Sequence, residues 1–178
     1  DMWNGYYTWI SNVNYILAEE ETMSGSETEK NYVLGQAYAV RAYSYFMLAQ
    51  MFSRTYKGHE SEPCVPLYTE PTDIATEGKG RATVEEVYQQ ITSDLDKAIT
   101  MLGNSGKRKH ISHINEAVAS GIKARVALVM EDWQTALDAA NAAISKSGCS
   151  IGTGTAVTGG MNDATANNVM WAAEIIAD

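Results

Sequence analysis

Four aromatic residues stand close together at the start of the chain: Trp3, Tyr6, Tyr7 and Trp9. An exposed aromatic ring can stack on a sugar, because the C–H face of a sugar ring is apolar and its rim is polar. Trp3 and Tyr7 fall on the apolar stripe of a predicted helix, which assigns them to the core. Tyr6 and Trp9 diverge from that stripe. We therefore predict that Tyr6 or Trp9 contacts a ligand or a partner protein.

A second pair of candidate ligand contacts, Tyr56 and His59, lies in the long connection of residues 53–82. This connection contains all three prolines of the chain, and proline cannot donate to a backbone ladder. Irregular connections of this length are uncommon in compact domains and tend to be functional when they are ordered. Tyr56 with His59 is therefore the alternative contact for a ligand or a partner. Apolar residues and prolines in 63–68 predict an extended segment against the helices.

The sequence gives little support to catalytic or metal chemistry. His110 and His113 are three positions apart and His59 lies elsewhere, with no cysteine or carboxylate at the spacing of a zinc site. No G-x-S-x-G elbow marks a serine nucleophile. The acidic run of residues 19–21 could act on a glycoside only at a fixed separation, which a turn does not impose. We predict a protein without a catalytic residue, a metal site or a cofactor.

The charge balance argues against nucleic acid as a partner. The chain has 13 basic and 22 acidic residues, which give a formal net charge of -9. A nucleic-acid-binding protein needs a basic face that neutralises phosphates. The densest basic cluster is the run of residues 107–109, which we interpret as a solvated turn. Direct binding to an anionic membrane surface is disfavoured for the same reason.

Cys64 and Cys149 are the only cysteines, and they do not form a C-x-x-C motif. We predict two unpaired thiols, with a disulfide in an oxidising compartment as the alternative. No apolar run approaches the roughly 20 residues that span a bilayer, and the first ten residues lack the pattern of a signal peptide. Residues 169–176 form an apolar segment with nothing after it to pack against, which predicts a piece of a longer protein.

Hydrophobic periodicity predicts five helices, at about residues 3–18, 27–52, 83–102, 113–130 and 133–146. The second helix carries two apolar stripes, so we predict that it is the central helix with neighbours on both flanks.

The predicted helix ends follow from short-range signals. Two capping boxes begin the second and third helices; they pair Ser26 with Glu29 and Thr83 with Glu86. Ser112 is the predicted N-cap of the fourth helix. Gly103 and Gly148 are the residues predicted to end the third and fifth helices.

The fourth and fifth helices are predicted to form an antiparallel hairpin, because only Glu131 and Asp132 separate them. Small residues on their facing surfaces allow a close approach; these are Ala117, Gly121, Ala124, Ala136, Ala140 and Ala143. We predict an all-α fold of TPR-like antiparallel helical hairpins, although no regular 34-residue repeat is present. Residues 1–148 form the predicted helical scaffold. Residues 149–178 begin a loop-rich, non-helical segment in which 168–176 could be a strand or a short helix.

Six segments, in this order, resemble the N-terminal, TPR-like half of SusD-like (SusD/RagB family) proteins. The second helix is similar to the family pattern GEA-x3-RA-x2-YF-x-L, with Gln36 in place of glutamate. Residues 65–70 read VPLYTE, as in the family loop, and residues 167–171 resemble its NxEvIW segment, with Asn168 where glutamate is common. The other three matching segments are the first helix, the third helix and the hairpin.

This resemblance implies a surface-exposed lipoprotein of the outer membrane of Bacteroidetes-type bacteria. Such a protein binds oligosaccharide nutrients and delivers them to a SusC-like TonB-dependent transporter. The resemblance also implies a membrane contact only through a lipid anchor, on a cysteine that precedes residue 1 and is neither Cys64 nor Cys149. The alternative function is a TPR-like adaptor that binds a protein or a peptide and no glycan.

Overall fold

Five α-helices and one short two-stranded sheet make up the computed structural model, which describes residues 1–154, 158 and 163–173. The elements are α1 (Met2–Ala18), α2 (Glu27–Phe52), β1 (Pro63–Pro66), β2 (Arg81–Thr83), α3 (Val84–Gly103), α4 (Glu116–Val129) and α5 (Trp133–Ser147). The predicted all-α fold is confirmed. No helix in the described part of the chain combines the length and the apolar character needed to cross a bilayer.

Local hydrogen bonds set most of the helix starts. The Ser26 side chain accepts from the Glu29 amide and the Thr83 side chain accepts from the Glu86 amide, and both capping boxes are complete. The predicted cap Ser112 is wrong. Ser112 Oγ instead pairs with His110 Nδ1 at 2.8 Å. Asn115 caps α4 through its side chain, because only after this residue does the backbone turn helical.

One of the two predicted glycine stops is correct. Gly148 follows α5 with a φ of 67°, a left-handed conformation that glycine adopts without steric cost. Gly103 does not stop α3; it is the last helical residue, and Asn104 is the C-cap. The left-handed position in this connection is Gly106, with a φ of 76°. The left-handed glycine thus lies three residues later than the sequence predicts.

Helix α2 is the central helix, as its two apolar stripes predict. It packs against α1 on one flank and α3 on the other. Tyr45, Leu48 and Ala49 are completely buried between them. Gly35 allows the close crossing of α2 and α3, since a Cβ at this position would lie only 2.7 Å from Leu102 Cγ.

A buried ion pair links the first three helices. Arg41 Nε and Nη2 of α2 donate to the two carboxylate oxygens of Asp94 in α3, at 2.7 and 2.8 Å. Arg41 Nη1 donates to Asn14 Oδ1 of α1 at 2.8 Å and to the Thr69 carbonyl at 3.1 Å. Burial lowers the pKa of Arg41, but the bonds to Asp94 and its charge outweigh this effect and raise it. The guanidinium therefore stays charged and satisfied inside the core.

The long connection after α2 lies against these helices. Its β1 strand pairs antiparallel with β2, which confirms the predicted extended segment. Asn14 Nδ2 donates to the carbonyls of Tyr68 and Glu70, and the Tyr45 hydroxyl both donates to the Tyr68 carbonyl and accepts from the Tyr68 amide. These buried groups fasten an irregular loop without regular secondary structure. Cys64 is buried in this region, and both Cys64 and Cys149 are free thiols, as predicted.

Helices α4 and α5 form the predicted antiparallel hairpin. A Cβ at Gly121 would lie 3.9 Å from Ala143 Cβ, an ordinary van der Waals distance. Ala136 and Ala143 are buried at the contact, whereas Ala140 is half-buried and Ala139 takes the buried position beside it.

The described residues after α5 are irregular. The Ser150 amide donates to the Asn167 carbonyl at 2.9 Å, and the Ala172 amide approaches the Ile111 carbonyl at 3.5 Å. Residues 168–173 are neither a strand nor a helix, and the last three residues of the segment predicted to be one or the other lie outside the described residues. The division at residue 148 stays a prediction.

Candidate functional site

An aromatic groove of about 450 Å³ lies between α1, α2 and the segment of residues 163–173. The residues that line this aromatic groove are Tyr6, Trp9, Val40, Tyr43, Ile114 and Trp171. None of these side chains carries a charge at neutral pH. The groove therefore offers ring surfaces and phenol hydroxyls, a combination that suits a ligand with an apolar face and a polar rim.

Helix α1 supplies one wall of the groove. Tyr6 and Trp9 are one helical turn apart and pack edge to face, with ring centroids 5.3 Å apart. Half of the Trp9 surface is exposed. Partial burial raises the pKa of Tyr6, and the neighbouring phenol of Tyr43 raises it further. The Tyr6 hydroxyl therefore stays protonated at neutral pH and can donate a hydrogen bond.

Helix α2 and the C-terminal segment supply the opposite wall. Tyr43 and Trp171 also pack edge to face, with centroids 5.7 Å apart and an interplanar angle of 88°. Trp171 Nε1 donates to the Ser112 carbonyl at 2.8 Å. This bond fixes the orientation of the indole and leaves only the ring itself for contact with a ligand.

Sequence reasoning found Tyr6 and Trp9 as candidates but did not include Tyr43 or Trp171. A signal for Tyr43 was present, since it falls on neither apolar stripe of α2, as Tyr6 and Trp9 fall off the stripe of α1. Trp171 gave no such signal, because the segment around it has no regular periodicity to compare it with.

The other predicted pair, Tyr56 and His59, does not line the aromatic groove. The Tyr56 hydroxyl donates to the Glu85 carboxylate, and its ring packs 5.1 Å from that of Tyr88. Burial, followed by this bond and the charge of Glu85, raises the pKa of Tyr56 to about 12. His59 Nδ1 is buried, with no hydrogen-bond partner among the described residues. Tyr56 thus packs beside the start of α3 instead.

A second hollow, of about 270 Å³, lies where α1 meets the loop of residues 67–76. Several of its polar groups are already used by the fold. The Tyr7 hydroxyl donates to the Pro66 carbonyl at 2.7 Å, and Asn14 Nδ2 donates to two loop carbonyls. The Asp73 carboxylate accepts from the Ala75 amide and the Thr76 hydroxyl. This hollow therefore has less to offer a ligand than the aromatic groove.

Within the described part of the chain, no group of three or more His, Cys, Asp or Glu side chains could hold a metal ion. His113 Nδ1 pairs with the Tyr32 hydroxyl, and His110 pairs with Ser112. Glu20, from the acidic run after α1, accepts from the Tyr38 hydroxyl. These side chains, which could have bound a metal or acted on a glycoside, therefore form hydrogen bonds within the fold.

Comparison with known proteins gives a consistent result. Residues 1–128 match the model of a SusD-like family described as starch-binding and associating with the outer membrane. No curated protein matches the sequence significantly.

Solved structures extend the match to most of the chain. A SusD-like carbohydrate-binding protein from Bacteroides vulgatus is 28% identical, with a TM-score of 0.88 over 96% of this chain and 36% of its own. A SusD superfamily protein from Bacteroides thetaiotaomicron is 27% identical, with a TM-score of 0.76 over 85% of this chain and 33% of its own. NanU of B. fragilis is 27% identical, with a TM-score of 0.66 over 83% of this chain and 29% of its own.

The chain thus spans about a third of the length of the structures that it matches. The observed order of helices and strands is consistent with the family match over residues 1–128. The chain belongs to the SusD-like family, whose members are carbohydrate-binding proteins.

Proposed function

We propose that this chain binds neutral oligosaccharides in the aromatic groove and belongs to a nutrient-binding protein exposed on the outer membrane. The observation that carries the proposal is the groove itself, in which four aromatic side chains from three separate elements border one uncharged cleft. The family match and the carbohydrate-binding relative from Bacteroides vulgatus support a sugar as the ligand class.

The groove provides both kinds of contact that a sugar needs. Tyr6, Trp9, Tyr43 and Trp171 offer ring surface for the apolar C–H face of a pyranose. The hydroxyls of Tyr6 and Tyr43 have no hydrogen-bond partner among the described residues, so both are available to the polar rim of the sugar. Each hydroxyl can donate and accept, which matches the mixed character of sugar hydroxyls.

The absence of charge in the lining favours a neutral sugar over a uronic or sialic acid. A carboxylate that enters the groove loses hydration and meets no cation among the lining residues, which is costly. Arg108 is close to Trp171 in space, but it lines a separate hollow beside Glu116 and Lys146. The net charge of -9 further disfavours an anionic ligand.

Delivery to a SusC-like TonB-dependent transporter is the second part of the proposal. Family membership and the description of the family as associating with the outer membrane support it. We further propose surface exposure and attachment through a lipid anchor on a cysteine before residue 1. Binding without chemical conversion of the sugar is the proposed activity, so no catalytic residue is assigned.

Titration calorimetry with matched neutral and anionic oligosaccharides tests the proposal. We expect maltohexaose or laminarihexaose to bind and hexagalacturonate to bind at least tenfold more weakly, about 1.4 kcal/mol in binding free energy. Trp9→Ala removes one stacking ring and should weaken binding about fivefold. The matched control is Trp133→Ala, which removes an exposed tryptophan on α5 that is outside the groove. A chain that binds none of these sugars, or one whose affinity is unchanged by Trp9→Ala, contradicts the proposal.

One feature favours the alternative function of a TPR-like adaptor. Trp133, Leu137 and Ile144 recur along one face of α5, and they are 55 to 68% exposed. A face of this kind is covered by a neighbouring helix in helical repeat proteins. The adaptor therefore predicts that an amphipathic helical peptide binds this face, and that Trp133→Ala abolishes the binding while Trp9→Ala does not.

A further inference from the structure

The basic turn of residues 107–109 has a role that its composition does not reveal. Arg108 is half-buried, whereas Lys107 and Lys109 on either side of it are exposed. Arg108 Nη1 donates to the Met170 carbonyl at 2.7 Å and also approaches the carbonyls of Ile111 and His113, each at 3.4 Å. One guanidinium nitrogen thus contacts carbonyls from two segments that are far apart in the sequence.

These contacts surround the residue that completes the aromatic groove. Met170 directly precedes Trp171, whose Nε1 donates to the Ser112 carbonyl at 2.8 Å. The Ala172 amide approaches the Ile111 carbonyl at 3.5 Å. Residues 170, 171 and 172 therefore contact Arg108, Ser112 and Ile111 in turn, and Arg108 makes the shortest of the three contacts and is the only charged donor among them.

The charged donor should matter most among these contacts. A hydrogen bond from a guanidinium is stronger than one between neutral groups, and its planar fork can reach several acceptors at once. Without it, the contacts that hold residues 170–172 in the described part of the chain are two hydrogen bonds between neutral groups and the packing of Met170 and Trp171. Such a segment has little regular structure of its own to hold the indole in place.

We propose that Arg108 is a positioning residue that holds Trp171 in the wall of the aromatic groove. The inference rests on the proposed function for its effect on sugar binding, but its structural part does not depend on any ligand. Arg108 acts from outside the groove, because it lines a separate hollow and is not among the residues that line the groove.

Hydrogen exchange of the ligand-free chain tests the structural part. Arg108→Ala should speed exchange in the peptide that contains Ala172 by about tenfold or more, because a bond to a charged group is lost. Lys107→Ala is the matched control, since it removes the same charge from the adjacent exposed position. Arg108→Gln serves as a second variant if the alanine variant fails to fold, as judged by circular dichroism. Equal exchange in the Arg108 and Lys107 variants overturns the inference, whatever the binding results show.

A double-mutant cycle tests the link to the groove. Arg108→Ala and Trp171→Ala should each weaken binding of the neutral hexasaccharide by about threefold to tenfold. The double variant should bind no more weakly than Trp171→Ala alone, because Arg108 acts only through the indole. Additive losses overturn the positioning role. A wild-type chain that binds no sugar refutes the proposed function, while the exchange experiment still decides the inference about Arg108.

Discussion

The two faces of helix α1 carry the same kinds of side chain and put them to different uses. On the core side, Tyr7 packs edge to face on Tyr45, and its hydroxyl donates to the Pro66 carbonyl at 2.7 Å. On the groove side, Tyr6 packs edge to face on Trp9, and its hydroxyl has no partner among the described residues. The core face uses its polar atoms for folding, and the groove face leaves them for a ligand.

The same contrast holds beyond α1. In the core, the Arg41 guanidinium is paired with Asp94 and bonded to Asn14 and a loop carbonyl. In the groove, the lining has neither a charge nor an internal hydrogen-bond network. Substitutions in the core should therefore reduce stability, and substitutions in the groove should reduce affinity with little change in stability.

The largest effect is expected at the buried ion pair. Asp94→Asn leaves the Arg41 guanidinium buried without an anion, which should lower the free energy of unfolding by about 3–5 kcal/mol. Asp96→Asn is the matched control, because Asp96 lies two residues away and forms an exposed pair with Lys123. Its cost should be below about 1 kcal/mol. Urea denaturation of both variants measures the difference, and equal losses would show that the buried pair has no special weight.

The crossing of α2 and α3 comes next. Gly35→Ala places a methyl group 2.7 Å from Leu102 Cγ, and we expect a loss of about 1–3 kcal/mol from overpacking. Gly121→Ala is the control, since its new methyl group would lie at 3.9 Å from its nearest neighbours. That variant should be neutral or gain up to about 1 kcal/mol from helix propensity. Thermal unfolding distinguishes the two, and a stable Gly35→Ala would mean that Leu102 moves aside freely.

A pair of conservative variants addresses the comparison on α1 directly. Tyr7→Phe removes a hydroxyl that bonds the Pro66 carbonyl, so stability should fall by about 1 kcal/mol. Tyr6→Phe should change stability by less than about 0.5 kcal/mol and weaken binding of a neutral oligosaccharide. Denaturation measures the stability of each variant, and calorimetry measures its affinity for the oligosaccharide. The contrast fails if Tyr6→Phe loses as much stability as Tyr7→Phe.

The smallest effect is expected at an exposed helix start. Hydrogen bonds from the Thr83 amide and hydroxyl lower the pKa of Glu86 from its ordinary value of 4.5. A lowered pKa in the folded state means that the ionised carboxylate stabilises the helix at neutral pH. This contribution should disappear as the pH falls below about 4.5 and through the folded pKa. Glu86→Gln should lose this part of the pH dependence in denaturation curves, and an unchanged curve would contradict it.

Much of the helical scaffold was predictable, because its signals act over a few residues. The capping boxes at Ser26 and Thr83, the two stripes of α2 and the short turn between α4 and α5 are all local patterns. The N-cap of α4, in contrast, was predicted at the wrong residue. Ser112 and Asn115 are both suitable capping residues; in the structure Ser112 bonds to His110 and Asn115 caps the helix.

The candidate site was only half predictable. Tyr6 and Trp9 diverge from an apolar stripe, and this divergence can be read from a single helix. Tyr56 and His59 were chosen because they lie in a long loop, but neither lines the groove, and Tyr56 packs against α3 instead. Long loops tend to be functional, but that tendency does not say which of their side chains face a cleft.

By itself, the sequence determined the five helices, the central place of α2 and the family to which the chain belongs, because periodicity, caps and ordered motifs are properties of neighbouring residues. Only the tertiary structure decided that Trp171 meets Tyr43, and that Arg108 of an apparently solvated turn holds the segment beside it. These contacts join residues that are far apart in the sequence, and no short-range pattern encodes which irregular segment will return to which helix.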